Sequence, residues 1–227
     1  MDLAEDQLRE IVQWDVRNWS KVLPFWEDGS DRRSAPQQVL AIGEREGGLS
    51  LWLARKGHHV TCSDLHTMPP ATSALHERYG VSDRITYATV DATRIPFAEG
   101  SFDIVVFKSV IGALGSKELQ ARAIAEMHRV LRPGGVLLFA ENLSGTRLHG
   151  FLRKRFIAWE HYWRYLRWPA DADLFRPFAQ SRFRTFGLLA NLGRTEGQRT
   201  VLSYVDEVLT KVLPARWRYI LAGICIK

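Results

Sequence analysis

The sequence predicts an α/β protein built on a mostly parallel β-sheet with helices on both faces. Between residues 38 and 142, strand-like runs alternate with helix-like segments, an order that is typical of successive βαβ units. The strand-like runs are continuous in Val, Ile and Leu, which indicates strands that are covered on both faces. With 227 residues the chain is long enough for one sizeable core, so we predict a single domain over residues 1–227.

Composition places the chain among globular proteins. Hydrophobic residues make up 46% and charged residues 25%, which argues against disorder. The longest uncharged apolar run, 136–140, is far shorter than the ~20 residues that span a bilayer. The first ten residues are acidic and lack the pattern of a secretory signal, so we expect a cytoplasmic protein.

Charge and cysteine content add two expectations. The formal net charge of +6 is moderately basic, and it favours an anionic partner such as a phosphorylated substrate, a lipid surface or a nucleic acid. The two cysteines, Cys62 and Cys225, lie in strand-like runs without metal-ligand spacing. We therefore expect both to be buried, with neither a disulfide nor a bound metal.

The N-terminal segment, residues 1–37, predicts a helical cap. Pro24 is expected to end or kink its helix, because proline lacks an N–H group and crowds the preceding turn. Residues 27–37 are polar and predict a short linker. The apolar side chains that share one helical face are Leu8, Val12, Trp19, Leu23 and Trp26.

The central segment, residues 38–142, holds the alternating elements. Helices are predicted within 48–57, 69–80 and 116–135, each bounded by glycine or proline. The predicted strands are 38–43, 59–64, 84–91, 102–109 and 135–142.

The regular alternation ends after residue 142. Residues 147–168 predict a basic aromatic helix, residues 181–213 mix helical patterns with turns, and residues 216–227 predict a closing strand. We divide the chain accordingly into the cap, the core of residues 38–142, a lid segment of residues 143–214 and a closing strand within residues 215–227.

Polar and glycine residues follow the predicted strands where a parallel sheet binds ligands, at its carboxyl edge. Gly43, Gly47 and Gly48 form a turn in which bare backbone approaches a ligand before the next helix begins. Asp64 and Asp91 end the second and third strands. A carboxylate at the second position accepts both hydroxyl groups of a ribose. Glycines and acids together predict a nucleotide-type site.

Four segments carry a family resemblance. "VLAIGEREGG", "VTCSD", "VDATRIPFAEGSFDIVVFKSVI" and "EMHRVLRPGGVLLFAEN" resemble the successive motifs of class I S-adenosylmethionine-dependent methyltransferases, in a bacterial variant of the glycine loop. The resemblance covers residues 38–142. It implies a Rossmann-like, doubly wound sheet of seven strands whose last strand is antiparallel, with residues 218–227 as that strand.

The resemblance also assigns roles within the cofactor site. Gly43 and Gly47 would line the methionine end of S-adenosylmethionine, Asp64 would hold the ribose, and Asp91 with Ala92 would face the adenine. Lys108 would lie beside the transferable methyl group. The implied cofactor-binding set is Gly43, Glu44, Arg45, Gly47, Gly48, Asp64, Leu65, Asp91, Ala92 and Lys108.

Two positions depart from the family pattern. Ala41 stands where the first strand usually carries an acid, and Arg45 stands at the usual middle glycine. In one interpretation the loop no longer binds the cofactor. In the other, Glu44 or Glu46 supplies the negative charge and the Arg45 side chain points away. The intact remaining motifs favour the second, with Arg17 as a partner for the cofactor carboxylate.

The catalytic residues are less specified. Transfer from an activated methyl group mainly requires a well-held nucleophile and exclusion of water, and a hydroxyl acceptor also gains from a general base. Glu141 and His149 are the predicted catalytic residues, and His66 and His161 are alternatives. No motif singles out any of them.

The basic aromatic segment 147–168 predicts a lid over the acceptor pocket, with peripheral contact to a membrane surface as an alternative. Nucleic-acid binding is less favoured, because the aromatic residues follow helical spacing. We predict O-methylation of a small molecule or glycan, with a lipid- or phosphate-carried saccharide as the preferred acceptor. The alternatives are a non-catalytic protein that retains the fold, an RNA or protein methyltransferase, and a nicotinamide enzyme.

Overall fold

A seven-stranded β-sheet organises the chain. The computed structural model describes residues 3–30, 36–156 and 162–227. The strand order is β3-β2-β1-β4-β5-β7-β6. The strands are β1 Gln38–Ile42, β2 His59–Asp64, β3 Ile85–Thr89, β4 Phe102–Lys108, β5 Leu131–Asn142, β6 Gln180–Phe186 and β7 Ile220–Ile226.

Strand directions confirm the predicted sheet. Strands β1 to β5 pair in parallel, whereas β7 is antiparallel to both β5 and β6. Ile42 pairs with Ser63 and with Phe107, and Lys108 pairs with Ala140. The loops that follow β1, β2, β4 and β5 therefore meet at one edge of the sheet, the carboxyl edge.

Helices cover both faces. Helices α1 to α4 pack on one face against residues such as Ala41, Ile104 and Leu138. Helix α6 packs on the other face against residues such as Val105 and Leu137. The helices are α1 Glu5–Val12, α2 Val16–Trp19, α3 Val22–Ser30, α4 Gly48–Arg55, α5 Pro70–Arg78, α6 Lys117–Val130, α7 Arg147–Phe156 and α8 Glu196–Val212.

The described helices and strands bear on two sequence predictions. No helix among the described ranges combines the length and apolar character that crossing a bilayer requires. Cys62 and Cys225 are both buried, as predicted.

The N-terminal cap differs from its prediction. Three helices replace the single one, and the breaks fall at Gln13 and Asp15, whose φ angles are 71° and 45°, and again near Ser20. Pro24 does not end a helix. It occupies the first turn of α3, where a backbone N–H has no partner within the helix and its loss costs little.

The region after β5 departs most from expectation. Residues 180–186 form the edge strand β6, where the sequence predicted mixed helical patterns. Helix α7 is described over Arg147–Phe156. Residues 162–168, which the sequence predicted to be helical, are not helical, and Leu166 forms a β-bridge with Leu143. Residues 157–161 of the predicted helix lie outside the described residues. Pairing with β7 and β5 decides these conformations, so local periodicity does not reveal them.

Candidate cofactor site at the carboxyl edge

The loop between β1 and α4 is wound tightly through left-handed backbone. Gly43, Arg45 and Gly47 have φ angles of 69°, 44° and 79°. Glycine adopts such angles without steric cost, whereas arginine rarely does. A Cβ atom on Gly43 would lie 2.3 Å from Cγ2 of Val110. Val110, two residues after the end of β4, therefore requires glycine at position 43.

Gly47 and Gly48 make close contacts with the protein itself. A Cβ atom on Gly47 would lie 2.6 Å from Cγ2 of Thr72 on α5. On Gly48 it would lie 2.4 Å from the carbonyl oxygen of Ile11 at the end of α1. These two predicted cofactor residues thus also let α1 and α5 approach the loop.

Helix α5 holds the loop by two hydrogen bonds that sequence reasoning missed. The Thr72 hydroxyl donates to the Arg45 carbonyl at 3.0 Å, and His76 Nε2 lies 3.0 Å from the Gly47 carbonyl oxygen. Burial lowers the pKa of His76, which favours the neutral ring. An isolated histidine in a short helix gave no signal of this role.

Glu44 caps helix α4. Its carboxylate accepts the backbone N–H of Ser50 at 2.7 Å, in the first turn of the helix, where negative charge is favourable. The side chain is buried, and burial raises its pKa to about 7. Arg45 and Glu46 are exposed. Of the two acids predicted to replace the one missing at Ala41, Glu46 is the one open to solvent.

Asp64 lies at the end of β2 with its carboxylate fixed by two backbone groups. Oδ2 accepts from Arg45 N–H and Oδ1 from His66 N–H, both at 3.2 Å. The neighbouring Leu65 is 57% exposed. A fixed acceptor beside an exposed apolar side chain suits a ligand that has hydroxyl groups and an apolar ring, as a nucleoside does.

Asp91 does not end a strand as predicted. β3 ends at Thr89, and Asp91 lies two residues later in a turn. Its Oδ1 accepts from the N–H and the hydroxyl of Thr93, both at 2.8 Å. Ala92 beside it is buried. The two residues still reach the carboxyl edge next to β2, because Val90 N–H donates to the Asp64 carbonyl.

Lys108 ends β4 between two acids. Its Nζ lies 5.0 Å from the ring centroid of Trp19 on α2. Burial lowers the pKa of Lys108 to about 8, and the charges of Glu44 and Glu141 act against this shift. The end of β4 therefore places a half-buried cation within the electrostatic influence of two buried carboxyl groups.

Glu141 supports the loop that follows β4. It is fully buried and accepts the backbone N–H groups of Gly112 at 3.3 Å and Asn142 at 2.8 Å. Burial raises its pKa to about 7. Asn142 in turn donates to the Ser109 hydroxyl at 2.9 Å, and Ser109 has a φ angle of 56°. Ser109 and Asn142 place polar groups at the ends of β4 and β5.

His149 has both ring nitrogens engaged. Nδ1 accepts the N–H of Thr146 at 3.0 Å, so Nε2 carries the proton and donates to the Leu188 carbonyl at 2.6 Å. The ring is 1% exposed. It links α7 to the loop after β6, and its catalytic role stays a prediction, as does that of Glu141.

Arg17 was expected to contact the cofactor carboxylate, but it faces α8. Its Nη2 donates to Glu207 of α8 at 2.7 Å, and its guanidinium lies 3.9 Å from the Tyr204 ring centroid. The N-terminal cap is thereby joined to α8. The tryptophan on the opposite side of α2, Trp19, is the one that lies over the site.

Comparison with known proteins agrees with this geometry. Residues 40–139 match the family described as a methyltransferase domain. An uncharacterized protein of Haemophilus influenzae is 33% identical over 139 residues, 60% of this chain and 55% of that protein. A malonyl-[acyl-carrier protein] O-methyltransferase of Erwinia billingiae is 31% identical over 183 residues, 80% of this chain and 61% of that enzyme. The chain thus spans less than two thirds of the length of either relative.

Solved structures share the fold. Phosphoethanolamine N-methyltransferase 2 of Haemonchus contortus, in complex with S-adenosyl-L-methionine, superposes with a TM-score of 0.63 at 17% identity, over 92% of this chain and 52% of that one. The domain match, the sheet order and the loop from β1 to α4 agree: residues 40–139 are similar to a methyltransferase domain, and the sheet has the Rossmann-like fold that the resemblance implied.

Proposed function

We propose that this chain is an active methyltransferase that binds S-adenosylmethionine along the carboxyl edge from β4 to β3. The observation that carries the proposal is Asp64, whose carboxylate is fixed by Arg45 N–H and His66 N–H beside the exposed Leu65. Each carboxylate oxygen retains a lone pair for a ribose hydroxyl. The cofactor, when bound, supplies a methyl group activated by its sulfonium.

The charges at the methionine end fit an amino acid moiety. The exposed carboxylate of Glu46 is available to its ammonium group, and the exposed guanidinium of Arg45 to its carboxylate. Glu44 is engaged in capping α4, so it contributes through the helix and not by direct contact. In this arrangement Glu46 and Arg45 supply the charges that bind the amino acid moiety. The departures from the family pattern at Ala41 and Arg45 therefore leave a site for the cofactor.

The finer part of the proposal concerns the acceptor, a hydroxyl group of a small molecule or glycan. Burial brings the pKa of Glu141 to about 7, the range in which a carboxyl group both takes and returns a proton near neutral pH. We assign acid–base chemistry to Glu141 and a positioning role to His149. The relative named as an O-methyltransferase supports transfer to oxygen.

The exposed side of α7 supports an acceptor that carries both apolar and anionic groups. Leu148 and Phe151 are 53% and 68% exposed, and Arg147 and Arg155 lie exposed on the same short helix. Apolar side chains beside arginines suit an amphiphile with a negatively charged head or an anionic membrane surface. This is the chemistry of a lipid- or phosphate-carried saccharide.

A second candidate, a non-catalytic protein that keeps the fold, is favoured by one observation. The half-buried Lys108 interacts electrostatically with both Glu44 and Glu141, so the methionine end already contains internally balanced charges. Such a protein would bind S-adenosylmethionine weakly or not at all.

Calorimetric titration with S-adenosylhomocysteine tests the proposal. Asp64→Ala is expected to weaken binding about 10- to 100-fold, because a hydrogen bond to a charged group contributes about 1.5–3 kcal/mol. Asp83→Ala, an exposed aspartate outside the site, is the matched control and keeps the wild-type dissociation constant. Absence of binding by the wild type at millimolar ligand, or equal binding by Asp64→Ala, would reject the proposal.

Catalysis is tested separately with labelled cofactor and lipid-linked or phosphorylated glycan fractions. If the methyl group is transferred to a hydroxyl oxygen, the product is a methyl ether, and its label should resist mild acid and base. Glu141→Gln should lower the rate of transfer while leaving cofactor affinity unchanged. Cofactor binding by the wild type without transfer to any fraction would reject this class of acceptor, whereas absence of cofactor binding supports the non-catalytic candidate.

A further inference from the structure

An open cavity of about 380 Å³ lies between the N-terminal cap, the end of β6 and helix α8. Its base includes two buried polar residues, Asn18 and Asp206. The charged residues at its wall are all basic apart from Asp206. The basic residues are Lys21, Arg184 and Arg218.

Asp206 is the one acid among the described residues that line the cavity, and its carboxylate is fixed by backbone groups. It accepts the N–H groups of Leu188 and Leu189 at 2.9 and 2.7 Å, and the side-chain amide of Asn18 at 3.1 Å. With a fourth hydrogen bond, from the Ala190 N–H at 3.3 Å, these bonds hold it in place below the loop that follows β6.

Lys21 is paired with Glu207 of α8 at 3.4 Å. Arg184 and Arg218 against the single charge of Asp206 therefore leave the cavity with a surplus of positive charge.

Arg184 is the free cation of the cavity. Within the part of the chain that the structure describes, its contact is with the Phe25 ring, whose centroid lies 5.5 Å from the guanidinium carbon, and no carboxylate lies within ion-pair distance. Its neighbour on the same face of β6, Arg182, is instead paired with Asp28 at 3.1 Å. Of the two arginines, only Arg184 has its charge available to a ligand.

Arg218 adds a buried donor without a partner. Its Nη1 and Nη2 donate to the carbonyl oxygens of Thr185 at 3.0 Å and Thr210 at 2.6 Å, which fixes the guanidinium. Its Nε is buried and, among the described residues, has no hydrogen-bond acceptor. A buried donor left unpaired costs stability, and a ligand oxygen would satisfy it.

The cavity is separate from the cofactor site but shares helix α2 with it. Trp19 lies over Lys108 at the end of β4, whereas the preceding residue, Asn18, lines the cavity. Residues assigned to cofactor binding do not line it.

We propose that this cavity binds the phosphate group of a small phosphorylated molecule. Guanidinium groups match phosphate oxygens in geometry as well as charge. The volume exceeds what a phosphate group alone fills and lies in the range of small-molecule sites, so the rest of the ligand has room beside Phe183 and Phe186. The proposal does not depend on the proposed methyltransferase function.

Calorimetry with inorganic pyrophosphate tests the site, using the full chain. Arg184→Gln is expected to weaken binding about tenfold or more. Arg182→Gln, on the same strand and face but outside the cavity, is the matched control and should bind as the wild type does. Arg184→Lys keeps the charge and should recover part of the affinity, which guards against a general loss of structure in the glutamine variant.

Three results would overturn the proposal. They are no binding of 10 mM pyrophosphate by the wild type, equal dissociation constants for Arg184→Gln and Arg182→Gln, and citrate binding as tightly as pyrophosphate, which would indicate a general anion effect. Saturating S-adenosylhomocysteine should leave pyrophosphate bound, and competition between them would place pyrophosphate in the cofactor site. Phosphatidylglycerol vesicles and glycerol phosphate, in parallel titrations, distinguish a lipid head group from a free phosphate ester.

Discussion

The two ends of the cofactor site are built differently. At the proposed nucleoside end, the Asp64 carboxylate accepts the backbone N–H groups of Arg45 and His66. The Asp91 carboxylate accepts the backbone N–H group of Thr93. At the proposed methionine end, Glu44 and Glu141 are buried and Lys108 is half-buried, and the three come from separate parts of the chain. Local sequence pattern therefore describes the first end, whereas packing of distant elements determines the charges of the second.

The largest expected effect is on stability, for a substitution at Gly48, whose backbone lies against the end of α1 in the N-terminal cap. Gly48→Ala should lower the free energy of unfolding by about 1–3 kcal/mol, because the new methyl group meets the backbone of α1. Chemical denaturation measures the change. Gly197→Ala is the matched control, since nothing lies within 4 Å of its Cβ position in α8, and it should be neutral or slightly stabilising. Equal destabilisation of the two variants would contradict the packing argument.

A second prediction separates positioning from catalysis. His149→Ala should lower the free energy of unfolding by about 1–3 kcal/mol, because the buried Leu188 carbonyl loses its donor. The pH profile of kcat should keep its shape, since the ring has no free nitrogen for the acceptor. Loss of one limb of that profile in the variant would assign His149 to catalysis after all.

The third prediction uses the raised pKa of Glu44. Its folded value of about 7 exceeds the ordinary value of 4.5, so between these pH values the folded protein binds more protons at this group than the unfolded chain does. The contribution of Glu44 to stability therefore falls as pH rises through this window.

Glu44→Gln removes that titration and keeps an acceptor for Ser50 N–H. Relative to the wild type, the variant should gain stability progressively from pH 4.5 to pH 7, measured by urea unfolding at four pH values. A constant difference over the window would show that Glu44 titrates normally.

The smallest expected effect is on cofactor affinity, for a substitution of the exposed Glu46, compared with the same substitution of the buried Glu44. Glu46→Gln should weaken S-adenosylmethionine binding several-fold, as expected for an exposed charge pair of up to about 1 kcal/mol. Glu44→Gln should change affinity less at pH 8, because Glu44 faces α4 and not the ligand. The reverse order in calorimetry would assign the counter-charge to Glu44.

Several features could be predicted from the sequence because they are local. Five strands and the helices between them follow from apolar runs bounded by glycine and proline, and the closing strand follows from its apolar composition. Asp64 could be placed because a residue that ends a parallel strand necessarily reaches the carboxyl edge. Asp91 was misplaced by two residues, since a turn stabilised by Thr93 continues the chain beyond β3.

Other features depend on contacts between residues distant in sequence. The edge strand β6 forms because its backbone groups pair with β7, and its mixture of arginine, phenylalanine and polar residues lacks a clear strand signal. His76 supports the loop only because α5 packs against it. The orientation of Glu44 depends on the N-terminus of α4, where orphan N–H groups attract a carboxylate.

Local sequence patterns were sufficient to predict the parallel sheet, the position of Asp64 at its carboxyl edge and the similarity of residues 40–139 to a methyltransferase domain. Tertiary structure alone decided which charges are buried, which acid is exposed beside Arg45, and where the cation-lined cavity lies between α2, β6 and α8. The physical reason is that backbone preference and apolar periodicity are encoded over a few residues. Desolvation and pairing of charges arise only when elements far apart in the chain enclose the same space.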